Sequence, residues 1–192
     1  MIIACWGVTP SPEAARLHEE GVRLAQVGEY LAAATKLQQA LELSPEFAEA
    51  AYALGQCYGA LAELERAAEL FRRAEALAQS PKLRLRATLA FGEVSLQRGD
   101  WEAARSAGER AVAMDRSNAR AWTLLGDAQA RLGDPEAAAT AYQEGRSPDS
   151  RTGRSRSADW QRSSLSWDTL RRPFRQQSRP RRLTRSTRRR CF

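Results

Sequence analysis

The hydrophobic and small residues of this chain recur with a period of 34. Residues 14–47, 48–81, 85–118 and 119–152 superpose once three extra residues, Lys82, Leu83 and Arg84, are allowed before the third copy. The eighth position of each copy reads Gly21, Gly55, Gly92 and Gly126, and the twentieth reads Ala33, Ala67, Ala104 and Ala138. The fifteenth reads Gly28, Ala62, Gly99 and Gly133, and the twenty-seventh Ala40, Ala74, Ala111 and Gly145. Larger side chains hold the seventh position (Glu20, Leu54, Phe91, Leu125) and the twenty-fourth (Leu37, Phe71, Gly108, Tyr142). No stretch alternates apolar and polar residues as a half-buried strand would. Each copy therefore predicts two helices of about 14 residues, with small residues at positions eight and twenty where the two backbones cross closely.

Helix boundaries are marked by capping chemistry. Ser11-Pro12, Ser44-Pro45 and Ser80-Pro81 each place a capping hydroxyl before a proline, which predicts three helix starts. Gly99-Asp100 and Gly133-Asp134-Pro135 pair a glycine that closes one helix with an aspartate that caps the next. Thirty-four alanines within residues 1–145 favour helix and close packing. The expected fold is all-α: a short right-handed α-solenoid of about four helix-turn-helix repeats with one concave side. It occupies residues 11–145, between an N-terminal extension (1–10) and a tail (146–192), and the fourth repeat is incomplete (119–145).

Trp122, Leu125 and Gly126 read W-x-x-L-G, and Leu54, Gly55 and Tyr58 read L-G-x-x-Y. With the four small-residue positions, these resemble the tetratricopeptide repeat family. The resemblance spans about 11–145. It departs from the pattern at Glu20 in the first repeat and at Ser95 and Gly108 in the third, where large side chains are usual. The resemblance implies a non-enzymatic scaffold or adaptor that binds a peptide or helix of a protein partner in the concave groove, with no catalytic residue, cofactor or metal. It also implies that positions 2, 5, 6, 9, 12 and 13 of each repeat line that groove. On this chain they run from an acidic and apolar end (Glu19, Val22, Glu49, Tyr52) to a more basic end (Arg86, Arg120, Arg131). The expected partner-binding residues are Tyr52, Gln56, Arg86, Leu89, Glu93, Arg120 and Asp127. Tyrosine and arginine would serve as anchors and glutamine as a partner for backbone groups. Family members that grip the C-terminal carboxylate of chaperones use a lysine and asparagines at positions that here hold His18, Val22 and Ala53, so that mode is not expected. His18, the one histidine, has no nucleophile or orienting group nearby and reads as a groove residue.

Charge divides the chain. The net charge of +7 combines 15 basic and 20 acidic residues in 1–145 with 15 Arg and only three Asp in 146–192. The basic character therefore belongs to the tail and not to the solenoid. The tail's composition shift has three readings. It could be the product of an altered reading frame or splice junction, which would make the chain a repeat arm cut from a longer protein such as a transferase. It could be a disordered polybasic segment that binds nucleic acid through phosphates. Or it could supply a capping helix over 159–172, with Trp160, Trp167, Leu170 and Phe174 near one face, covering Leu125 and Tyr142 of the last repeat. That stripe could also lie on an anionic membrane surface. Cys5, Cys57 and Cys191 show no metal-like spacing, Cys57 reads as a small buried side chain, and a reducing cytoplasm is the expected location. Ile2-Ile3-Ala4-Cys5 resembles the end of a lipoprotein signal. It would make the protein a membrane-anchored envelope lipoprotein acting in surface-structure assembly if a longer apolar segment preceded it. No stretch is long and apolar enough to span a membrane. Homo-oligomers could form through an uncovered end of the solenoid.

Overall fold

The structure is a computed structural model that describes residues 10–146. The expectations placed on Cys5, on the lipoprotein-like start, on the Arg-rich tail and on a helix over 159–172 lie outside the described residues. Within them there are eight helices and no strands: α1 (Pro12–Gln26), α2 (Tyr30–Leu43), α3 (Ala48–Ala60), α4 (Leu64–Leu77), α5 (Pro81–Arg98), α6 (Trp101–Met114), α7 (Ala119–Leu132) and α8 (Pro135–Arg146). Each helix packs on the next in sequence, and the first helices of successive repeats also touch (α1 on α3, α3 on α5, α5 on α7). This is the arrangement of an α-solenoid.

Capping residues start most of the helices where the sequence places them. The Ser11 hydroxyl accepts from the Ala14 amide at 3.2 Å, and Ser80 accepts from Leu83 at 3.1 Å. Asp100 and Asp134 accept from Ala103 and Ala137 at 3.2 and 3.0 Å. Ser44 differs from expectation. It ends α2 instead of starting α3, which begins at Ala48 after Phe47. Its hydroxyl accepts from the Ser11 amide at 3.1 Å, so it serves the first repeat, and Pro45-Glu46 form a turn closed by the Phe47 amide on the Ser44 carbonyl at 3.1 Å. The three extra residues of the third repeat add a turn to α5, which is 18 residues long.

The close crossings fall where the small residues are. Ala33, Ala67, Ala104 and Ala138 are all buried. A side chain at Gly21, Gly55 or Gly126 would meet Leu37, Phe71 or Tyr142 of the same repeat at 2.5–2.8 Å. The third repeat solves the crossing differently. Its twenty-fourth position is Gly108, which leaves no side chain to fill the notch at Gly92. Leu124 of the fourth repeat fills it instead, 2.5 Å from where a Cβ would stand. Gly108 in turn lets the α7 backbone press against α6, with Leu125 Cα 2.9 Å from its missing Cβ. Leu125 is buried and lies against Gly108 of the preceding repeat. Cys57 is buried, as expected, and burial pushes its thiol above the ordinary value. At the first repeat Glu20 replaces the large residue of position seven. In the fourth repeat that position, Leu125, meets Gly108 of the preceding repeat. Glu20 instead pairs with Lys36 at 3.1 Å.

Candidate functional site

The first helices α1, α3, α5 and α7 form one continuous surface because each packs on the next at the same registers, a register being a position in the 34-residue copy. Register 2 of one repeat reaches back to registers 5 and 9 of the repeat before it. The Arg86 guanidinium (register 2) therefore lies over the Tyr52 ring (register 5), 4.6 Å from its centroid. Gln56, one turn along α3, donates its amide to the Tyr52 hydroxyl at 3.3 Å. Arg120 (register 2) sends Nε and Nη2 to the two carboxylate oxygens of Glu93 (register 9), both at 2.5 Å. That fork-to-fork geometry aligns two hydrogen bonds with one charge pair, and it keeps the Arg120 charge firmly in place.

The other expected residues are placed less simply. Tyr52 is itself 9% exposed, its ring tilted against Phe71 at 5.6 Å, so it acts mostly as the platform for Arg86. Leu89 is 4% exposed and belongs to the apolar cluster with Leu85, Leu96 and Leu124. This corrects the expectation that it contacts a partner. It lies where α5 meets α7, so its side chain serves the repeat stack. Asp127 is exposed, but it accepts from the Tyr142 hydroxyl of its own repeat at 2.6 Å. Burial and that hydrogen bond hold the Tyr142 phenol well above the ordinary value. The structure thus brings Tyr52, Gln56 and Arg86 into one cluster and Glu93 and Arg120 into a neighbouring pair. Their exposed groups are Gln56, Arg86 and Arg120, with Glu93 half-exposed.

At the acidic end the His18 ring leans on Phe47, centroids 5.0 Å apart and planes 54° apart. Burial lowers its pKa below the ordinary 6.5, and the nearby Glu49 and Glu19 carboxylates only partly restore it. The imidazole therefore rests against Phe47 with the Glu49 and Glu19 carboxylates nearby. Two features escaped the sequence reading: the role of Phe47 and the cross-repeat pairs. One of the pairs leaves a signal: the opposite charges of Glu93 at register 9 and Arg120 at register 2 of the next repeat become visible when those two copies are compared side by side. Among the described residues no group of three or more His, Cys, Asp or Glu stands ready to hold a metal ion, and no helix is long and apolar enough to cross a membrane.

A family model described as tetratricopeptide repeat matches residues 18–82 and 89–151. No curated protein matches the sequence. Among solved structures, a crystal structure of MamA aligns with a TM-score of 0.65 at 24% identity, over 70% of this chain and 78% of that one. MamA from Desulfovibrio magneticus RS-1 (residues 41 to the end) aligns at 23% identity and TM-score 0.65, over 71% and 76%. The first TPR of Spaghetti (RPAP3), bound to the HSP90 peptide SRMEEVD, aligns at 21% identity and TM-score 0.60, over 64% and 95%. At such identities the likeness is one of fold.

Proposed function

This chain belongs to the tetratricopeptide repeat family, and on that premise we propose that it is a non-enzymatic scaffold holding a peptide or helix of a protein partner against its first-helix surface. The observation that carries this reading is the cross-repeat cluster of Tyr52, Gln56 and Arg86. A guanidinium held over an aromatic ring is positioned by that contact and, being exposed, offers its N–H groups to a partner's acceptors. Gln56 stands beside it as an adaptable donor and acceptor for a partner's backbone. The neighbouring Glu93–Arg120 pair is exposed, so it adds little to stability but presents both charges at fixed positions. Aromatic and arginine anchors of this kind dominate binding energy in protein interfaces.

The test is a combined alanine substitution of Gln56, Arg86, Glu93 and Arg120, all exposed or half-exposed, assayed against the partner recovered from the native source. A tenfold or greater loss of affinity with an unchanged circular dichroism spectrum is expected. An unchanged affinity would overturn the assignment of the surface. The chain is further expected not to hold the SRMEEVD peptide as the Spaghetti domain does, because His18, Val22 and Ala53 supply neither a lysine nor an asparagine amide. Micromolar binding of that peptide, lost on substituting His18, would refute this.

A further inference from the structure

Comparing one repeat junction with the next exposes a vacancy on the side built by the second helices. At the junction of repeats one and two, register 11 is Tyr58, which is buried. Its hydroxyl accepts from Gln38 Nε2 at 2.8 Å and from Arg66 Nη2, and the Arg66 guanidinium lies 4.0 Å from its ring centroid. Gln38 is register 25 of the preceding repeat and Arg66 is register 19 of the same one. At the junction of repeats two and three those registers hold Arg72, Ser95 and Ala103, so both the phenol and the guanidinium above it are gone. The Ser95 hydroxyl is fully buried and finds no hydrogen-bond partner among the described residues. An open groove of about 630 Å³ remains between α4 and α6. Phe91 lies at its floor, and Arg72, Glu75, Ala103, Ser106 and Arg110 line it.

The lining has a definite chemistry. Arg110 is neutralised by Glu75 at 3.1 Å, and Glu75 also accepts from Thr88 at 2.9 Å. Arg72 makes no ion pair among the described residues, and its guanidinium sits 6.0 Å from the Phe91 centroid. The groove therefore offers an aromatic floor, one uncompensated cation above it, and Ser106 on the rim. We propose that this groove docks a tyrosine side chain of a partner protein, with an acidic residue beside it to meet Arg72. The fold supplies the precedent, since one junction earlier the chain's own Tyr58 places its hydroxyl between registers 25 and 19, the two registers that here hold Arg72 and Ala103 on the groove wall. The guanidinium of Arg72 would face the incoming ring as Arg66 faces Tyr58. This site is independent of the first-helix surface.

The probe is an alanine-based helical peptide carrying one tyrosine flanked by glutamates, titrated into the full chain and followed by amide NMR. Saturable shifts confined to α4, α5 and α6 are expected, with a dissociation constant on the order of millimolar for a single side-chain contact. Replacing the peptide's tyrosine by alanine should abolish them. Ala103→Arg restores the residue that repeat two carries at that register and fills the groove from within, so it should also abolish them. Should Ala103→Arg fold poorly, the exposed Ser106→Glu places a carboxylate on the rim against the peptide's glutamates and should weaken binding at least tenfold. A flat titration, shifts on α1 or α7 alone, or binding indifferent to both substitutions would overturn the proposal. So would saturation by free 4-methylphenol without any response to the peptide.

Discussion

Ala62 holds a backbone conformation that the other repeats give to glycine. At the fifteenth register Gly28, Gly99 and Gly133 have φ of 86, 81 and 89°, and Ala62 has φ of 60°. The left-handed region costs a residue with a Cβ about 1–2 kcal/mol, so Ala62→Gly should stabilise the chain by about 1 kcal/mol after the added chain entropy of glycine is counted. A thermal melt checks this, and an unchanged or lowered Tm would contradict it. His18 makes a second prediction at this scale. Its folded pKa lies below its unfolded value, so below about pH 6.5 the unfolded chain takes up a proton that the folded chain resists. Stability should therefore fall as the pH drops from 6.5 toward the folded pKa, and level off below it. His18→Phe keeps a ring against Phe47 and should flatten that part of the stability–pH curve. A curve of unchanged slope would show that carboxylates, not His18, set it.

Between helices, the same residue type has opposite consequences according to what it faces. Gly108 touches the α7 backbone through Leu125, which cannot step aside, whereas a Cβ at Gly59 would meet nothing within 4 Å. Gly108→Ala should therefore destabilise by about 1–3 kcal/mol through overpacking. Gly59→Ala should stabilise by about 0.5 kcal/mol by removing a flexible residue from the last turn of α3. Chemical denaturation of the two variants gives the comparison, and equal effects would refute the packing account. The sequence makes the within-repeat crossings legible, because Gly21 and Leu37 or Gly55 and Phe71 recur at fixed spacing inside one copy. It does not reveal that Leu124 leaves its own repeat to fill the notch at Gly92, since aligned copies hide contacts between neighbours. The same blindness makes Leu89 read as a groove residue. Ser44 misleads for another reason: a hydroxyl before proline marks a helix start only when no better donor claims it, and the Ser11 amide does.

Across the whole solenoid, stability accumulates from neighbour to neighbour. One apolar cluster runs through α1–α5 into α6, while a smaller one joins α5 to α8, and α8 buries only Ala138 and Ala141. Amide hydrogen exchange should accordingly be fastest in α8 and slowest in α3 and α5. Uniform protection along the chain would mean that it unfolds as a single cooperative unit instead. The notch at Gly92 carries a consequence for ancestry. In repeats one, two and four the Gly–large pair is self-contained, so such a copy can be duplicated, lost or exchanged by recombination with its packing intact. Repeat three has no filler of its own and takes one from repeat four. Excision of the fourth copy alone would open a void under Gly92, and grafting the third elsewhere would do the same. The smallest heritable piece at this end of the molecule is therefore a pair of repeats, and chimaeras joined between residues 118 and 119 should fare worse than those joined between 84 and 85.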